Sequence, residues 1–393
     1  MMRICNYLLW LLLLFSFFSC TEKKPPRKSK LVTLSIKDVQ LESSVRLSDI
    51  ASLVECIPLE TNNDLLISQI TKVVSKANCL FLTDGKTLYQ FSEKGEALLK
   101  WQHAGLGPDE YINISDFQID EKNNVWILSQ SNKQLYKYNL KGALQEKIPL
   151  DCQVSKIYLM GSHNMSLYVG NNLEENNRFQ LQLLDLRDGK VVDEFLPINS
   201  QKGKYLHIIS RNSFVNSKKA NDLYFFQAFN DTVYHLSAEQ MSPAYFLELN
   251  GNNIPKSFFE AEYKDVMDFF QHLFKYSYAY GTNLFFENES HCFFSYYYNK
   301  ECYMAMLAKT TPHKGVLFKG FLEDVCLFGY PISLTDLSVF LQSNGDLFLS
   351  LNPYDIMEYA DTHLDNVERE KLSQQLHYKG EDQNPILLKI RMK

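Results

Sequence analysis

Six short apolar runs recur along the chain, at residues 79–84, 125–129, 166–169, 223–226, 292–296 and 347–351, each bounded by Asn, Asp, Gly or Lys. They are rich in aromatic and aliphatic side chains, the composition of a strand held between turns. In the first three units a second alternating run follows and ends on a glycine, and these glycines, Gly95, Gly142 and Gly189, stand 47 residues apart. A strand-built repeat of roughly 40 to 50 residues is the length of one four-stranded propeller blade. The pattern predicts an all-β chain, a six-bladed β-propeller, with blades near 65–110, 111–155, 156–205, 206–250, 276–325 and 326–393. Asn344-Gly345-Asp346 is a hairpin signal just before the sixth run. The later units are less regular, since the hairpin between Ser237 and Met241 has no glycine.

Helical spacing is strong in one place. Between the fourth and fifth runs, Phe259, Tyr263, Val266, Phe270 and Leu273 fall on one face of a helix over 254–276, with Pro255 suited to its first turn. This amphipathic insert either packs over one end of the propeller or forms a lid on a central pocket. A ring must also close, and closure by the chain termini is expected from the alternating segments 54–60 and 385–391, which sharing one sheet would leave with no open edge. A polar helix near 367–377 leads into the last strand.

The first residues read as a processing signal. Arg3 precedes an apolar stretch from Leu8 to Phe18, too short for a comfortable membrane span, and Ser19-Cys20 ends it. A small residue followed by Cys matches a bacterial lipobox, so residues 1–19 are expected as a lipoprotein signal peptide and Cys20 as the lipid-bearing residue. Residues 20–40 then form a flexible basic tether and 41–393 the propeller. The expected location is the cell envelope, as an outer-membrane lipoprotein held to the membrane by its lipid. Residues 21–30 carry five basic side chains against one Glu, unlike the acidic stretch found after the Cys in many surface-exported lipoproteins, so the periplasmic and surface faces stay open.

Charge and cysteines narrow the partners. The chain carries a net charge of −6; residues 1–30 contribute +5, from six basic side chains and one acidic, leaving −11 on the body. An acidic body suits a phosphate backbone poorly, so nucleic acid is not an expected partner. Cys56, Cys79, Cys152, Cys292, Cys302 and Cys326 show no C-x-x-C spacing, and buried thiols are expected rather than disulfides.

Phosphate-loop, H-E-x-x-H, G-x-S-x-G and EF-hand motifs are absent from the sequence, and no two histidines stand three or four apart. No cofactor and no metal ligands are predicted, a divalent metal gathered from several blades in the channel being the open alternative. The richest constellation runs from His103 to Tyr111, where Gly105, Gly107 and Pro108 shape a turn that presents Asp109, Glu110 and Tyr111. His103, Asp109, Glu110 and Tyr111 are the candidate binding residues. The competing reading is a turn between blades whose carboxylates cap backbone N–H groups.

Segment 105–111, Ile57-Pro58-Leu59-Glu60-Thr61 and the terminal 384–391 together resemble a family of secreted six-bladed β-propeller lipoproteins of Bacteroidetes, similar to NHL-type propellers. That resemblance implies the fold over nearly the whole body and no particular reaction. The expected function is a non-catalytic binding or scaffolding module for a glycan, peptide or envelope-protein partner. The alternative is a lyase or hydrolase with its site at the channel, possible with or without a metal.

Overall fold

A computed structural model describes residues 31–173, 177–200, 202–310, 314–335 and 337–393. The expected signal peptide, residues 1–19, and the expected lipid-bearing Cys20 lie outside the described residues.

The chain forms a β-propeller of seven sheets. In chain order of their first strands, the first sheet is Lys72–Lys76, Cys79–Thr83, Leu88–Ser92 and Ala97–Trp101. The second is Asp116–Ile119, Val125–Ser129, Gln134–Tyr138 and Leu144–Pro149, and the third Lys156–Met160, Asn164–Tyr168, Phe179–Asp185 and Lys190–Pro197. Phe214–Asn216, Leu223–Phe225, Thr232–Leu236 and Met241–Glu248 begin the fourth, and Tyr280–Glu287, His291–Tyr298, Glu301–Ala308 and Gly315–Phe318 the fifth. The sixth holds Gly320–Glu323 and Tyr330–Ser333, and the seventh Ser338–Leu341, Leu347–Leu351 and Ile386–Met392, each completed by a strand from the N-terminal segment.

The expected count of six blades is therefore corrected to seven sheets, for a physical reason. All six apolar runs in the sequence are second strands, covered on both faces by neighbouring sheets; Val125–Ser129 is buried at every position. A strand buried on both sides reads as a continuous apolar run, which is what makes it visible. The sixth sheet has no such strand. Its central member, Gly320–Glu323, is four residues long and ends on a buried carboxylate, Glu323, which accepts N–H bonds from Val325, Cys326 and Leu327.

The repeat glycines have a backbone cause. Gly95, Gly142 and Gly189 adopt φ of +86°, +80° and +70° in the turn joining the third and fourth strands of the first three sheets. A Cβ on Gly95 would lie 2.0 Å from the Pro58 carbonyl oxygen, so only glycine fits there. In the fourth sheet Ser237 replaces that geometry, its Oγ accepting from Glu239 N at 3.3 Å and Gln240 N at 3.1 Å.

The N-terminal segment was expected as tether to residue 40, yet it enters the sheets at Val32. Val32–Ser35 lies parallel to Met241–Glu248 on the fourth sheet, Gln40–Glu42 to Gly315–Phe318 on the fifth, and Val45–Arg46 to Gly320–Glu323 on the sixth. Ala51–Pro58 then runs antiparallel to Ile386–Met392 on the seventh. Four consecutive sheets thus receive a strand from one segment, which covers edges that would otherwise be open to another chain.

The segment between the fourth and fifth sheets holds two helices, Lys256–Glu260 and Val266–Lys275, in place of one over 254–276. Asp265 accepts from Asp268 N and caps the second, so the helix restarts there. The restart changes the buried face: Phe258, Phe269 and Leu273 are covered, while Val266 is 44% exposed. All six cysteines of the body are free thiols.

Deleting residues 386–393 is predicted to abolish cooperative unfolding. Ile386, Leu387, Leu388 and Ile390 are fully buried, and that strand pairs on both sides. At about 1.5 to 3 kcal/mol per large apolar side chain the loss is comparable with a domain's whole stability. A sharp melt of the truncated chain near the wild-type temperature would refute this.

Candidate functional site

Three successive first strands begin in the same way: Thr71-Lys72, Ser115-Asp116 and Ser155-Lys156, each a hydroxyl residue and a charge before the apolar positions. The hydroxyl residue's N–H is bonded to the second strand in every case, Thr71 to Thr83 O, Ser115 to Leu128 O and Ser155 to Tyr168 O. The charged residue that follows stands at the channel. Asp116–Ile119 lies beside both Lys72–Lys76 and Lys156–Met160, and with Phe214–Asn216 and the end of Ser338–Leu341 these strands surround a cavity of about 210 Å³.

First strands splay around an axis and leave an edge of unpaired backbone groups facing inward. Long polar side chains span the gap. Asp116 is 2% exposed; its Oδ1 lies 2.5 Å from Lys72 Nζ and its Oδ2 accepts from Ile157 N at 2.8 Å, so one carboxylate ties three sheets. Gln342 accepts from Ser75 N at 2.8 Å and donates to Val73 O at 3.2 Å, joining the seventh sheet to the first. Asn212 donates to Asn283 O and Val339 O at 3.2 and 3.0 Å and accepts from Leu341 N at 3.0 Å, joining the segment before the fourth sheet to the fifth and seventh.

A second cavity of about 520 Å³ lies where the first strands begin. Its lining combines two cations, Lys156 and Arg211, with hydroxyl and amide groups from Thr71, Ser210, Asn283 and Ser338 and an aromatic wall of Phe229, Tyr280 and Tyr297. Among the described residues its lining includes no Asp, Glu or His. Tyr280 stacks with Phe229 at 5.6 Å and with Tyr297 at 5.7 Å, and helix Val266–Lys275 supports it through Phe270 and Phe274. Lys156 and Arg211 line both cavities.

The cations are not equally partnered. Lys72 has Asp116; burial lowers its ammonium pKa, Asp116 opposes that and the Lys156 charge adds to it. Arg211 sits over the Phe340 ring at 5.1 Å, and its buried Nη1 has no hydrogen-bond partner among the described residues. Burial lowers its pKa too, with Tyr297 opposing. Ser213 Oγ, also on the channel lining, is likewise buried and unpartnered among the described residues.

The four residues singled out from the sequence lie elsewhere, in the turn between the first and second sheets. Gly107 N donates to Glu110 Oε2 at 2.7 Å, and a Cβ on Gly105 would strike that same carboxylate. Tyr111 is fully buried; its hydroxyl donates to Lys86 O at 3.0 Å, and burial raises the phenol to about 12. His103 packs edge-on to Trp101 at 5.7 Å and beside Tyr138, whose hydroxyl donates to the Asp109 carbonyl at 2.7 Å. None of the four lines the channel cavities. The residues that do were missed, although the repeated hydroxyl–charge pair at 71–72, 115–116 and 155–156 was available as a signal. Among the described residues no group of three or more His, Cys, Asp or Glu is placed to hold a metal ion.

Comparison with known proteins places this architecture. A family described as a domain of unknown function (DUF4934) matches residues 31–391. No curated protein matches the sequence. Among solved structures, BF0058 of Bacteroides fragilis, inferred to be an exported protein, is similar with a TM-score of 0.72 and 19% identity, over 93% of this chain and 100% of that one. A member of the DUF4221 family from Bacteroides vulgatus is similar with a TM-score of 0.51 and 9% identity, over 87% of this chain and 97% of that one. At these identities the likeness speaks for the fold.

Asp116→Ala is predicted to cost about 3 to 5 kcal/mol, because it leaves the Lys72 charge and the Ile157 N–H unmatched. Gln118→Ala removes a single 3.2 Å bond to Ile157 O and is predicted to cost about 1 kcal/mol. Urea unfolding of both variants checks the ranking; equal costs would show that the Asp116 pairing does not hold the sheets.

Proposed function

The chain belongs to the DUF4934 family, and on that premise we propose that it is a cell-envelope binding module whose ligand enters the channel mouth, the end at which the first strands begin. The observation that carries this reading is the composition of the mouth. Hydroxyl, amide, aromatic and cationic groups converge on a cavity within the size range of ligand pockets, with no acid–base pair among the described residues of its lining. A lyase or hydrolase site calls for such a pair or for a nucleophile beside a base. The channel's buried carboxylate, Asp116, is committed to Lys72 and Ile157.

A glycan or peptide suits these groups, and loops on a rigid sheet scaffold suit binding whose specificity varies without changing the core. The lipid anchor at Cys20, and with it an outer-membrane location, is proposed on residues 1–30 of the sequence. The sheet shared by Ala51–Pro58 and Ile386–Met392 serves in this proposal as the clasp of the ring, and the helices at 256–275 as a support for the mouth rather than a lid.

Two outcomes are expected. Thermal-shift screening of the purified chain against oligosaccharides and short peptides finds a ligand, and Tyr280→Ala weakens it at least about tenfold. A ligand unaffected by Tyr280→Ala, or conversion of any screened compound to product, would overturn the assignment. Separately, Cys20→Ser moves the protein from the membrane to the soluble envelope fraction; retention of that variant in the membrane would remove the lipid anchor.

A further inference from the structure

We infer that the channel mouth is an anion site, and that its ligand is a sugar carrying a carboxylate, of the uronic acid type. The inference rests on the binding-module reading and adds the chemistry of the ligand.

Charge comes first. The body is acidic, at −11 beyond residue 30, yet the mouth is lined by Lys156 and Arg211 with no acidic side chain among its described residues. Lys72 stands close enough to Lys156 for the two charges to oppose each other. The first cavity, which shares Lys156 and Arg211, adds Lys72 and Lys76 beside Asp116, Asp120 and Glu121, so among the described residues the unopposed positive charge is that of the mouth, and the buried Asp116 has both oxygens in use. A concave, partly dehydrated site of one sign concentrates ions of the other, and does so more strongly than the same charges would on open surface.

The unpartnered groups come second. A buried donor without an acceptor costs about 1 to 3 kcal/mol. Arg211 Nη1 carries that cost here, and Ser213 Oγ is in the same position two residues on. The position of Arg211 is not accidental slack: its own N–H is held by Asn283 Oδ1 at 3.0 Å, and flanking Ser210 and Asn212 are bonded to Thr282, Asn283 and Val339. The backbone is fastened on both sides while Nη1 of the guanidinium has no partner among the described residues. A carboxylate accepts from a guanidinium through two parallel bonds, and so matches what Arg211 lacks.

The remaining lining selects the carrier. A peptide commonly binds by adding a strand to a free edge, but inward edges along the channel are already met by Asn212 and Gln342 side chains. What is offered instead is an aromatic wall and side-chain hydroxyl and amide groups, which suit the apolar face and the hydroxyls of a pyranose ring.

The test is isothermal titration of the purified chain with oligogalacturonate and oligoglucuronate, with the same sugars as methyl esters, and with an acidic peptide. The acid sugars are expected to bind at least about tenfold tighter than their esters, and binding is expected to weaken with added salt. Arg211→Met and Lys156→Met should each lose about tenfold or more in affinity, while Lys256→Met, at an exposed helix position, changes nothing. Arg211→Met should melt at or above the wild-type temperature, because it removes a buried unpartnered donor, so lost binding would not reflect lost folding. Equal affinity for acid and ester overturns the anion inference and leaves the binding module standing. Binding of the acidic peptide alone overturns the sugar assignment. No binding by any saccharide, charged or neutral, removes this inference, and the broader reading falls only if the wider screen of ligands is silent too.

Discussion

Strands arranged around an axis cannot pair with their neighbours across it, and this geometric constraint decides how the rest of the molecule is built. Each first strand makes its ladder outward to the second strand of its own sheet and turns an unsatisfied edge to the channel. Backbone groups left that way cost free energy unless something meets them. Here Asp116, Asn212 and Gln342 reach from one sheet to the backbone of others, so the sheets are joined at the centre by side chains rather than by ladders. The outer rim solves the same problem with main chain, through the N-terminal strands laid along four sheets.

The two solutions explain which parts of the fold were legible in the sequence. Second strands are covered on both faces, so all six announced themselves as apolar runs, and positive-φ glycines marked three of the turns. The sixth sheet lacked both signals, because its strands are short, one is a two-residue contribution from Val45–Arg46, and a buried Glu323 occupies a place where an apolar residue would be read. Residues 32–46 were illegible for a related reason. Parallel edge strands of two to four residues carry too little alternation to stand out from a polar tether.

The site was harder still, and the cause is the same constraint. Unusual residues cluster in sequence at 103–111. In the structure that loop consumes its own chemistry: Glu110 closes a turn and Tyr111 is sealed in a core with Tyr138 and Trp101. Residues brought to the channel come one or two per sheet, separated by about a blade's length. Their only trace is a charge repeated at the start of successive first strands, at 72, 116 and 156, where an apolar residue would have packed as well. A periodic charge is thus more informative in such a fold than a dense local motif.

The constraint also bears on how the mouth can bind. Side chains that stitch the sheets are fixed by folding, and they hold the segment bearing Arg211 against the fifth and seventh sheets before any ligand arrives. Ordering a charged side chain on binding ordinarily subtracts from affinity; an anchored backbone reduces that loss. The aromatic wall is prepared in the same way, since Tyr280 is stacked between Phe229 and Tyr297 and supported by the helix at 266–275. The cations are a different matter, because their mutual repulsion is set by the fold and opposes it. On the proposed reading, a site whose shape is complete while its charge is not would be matched by an anion that brings charge without requiring rearrangement, which favours electrostatic complement over closure of a lid.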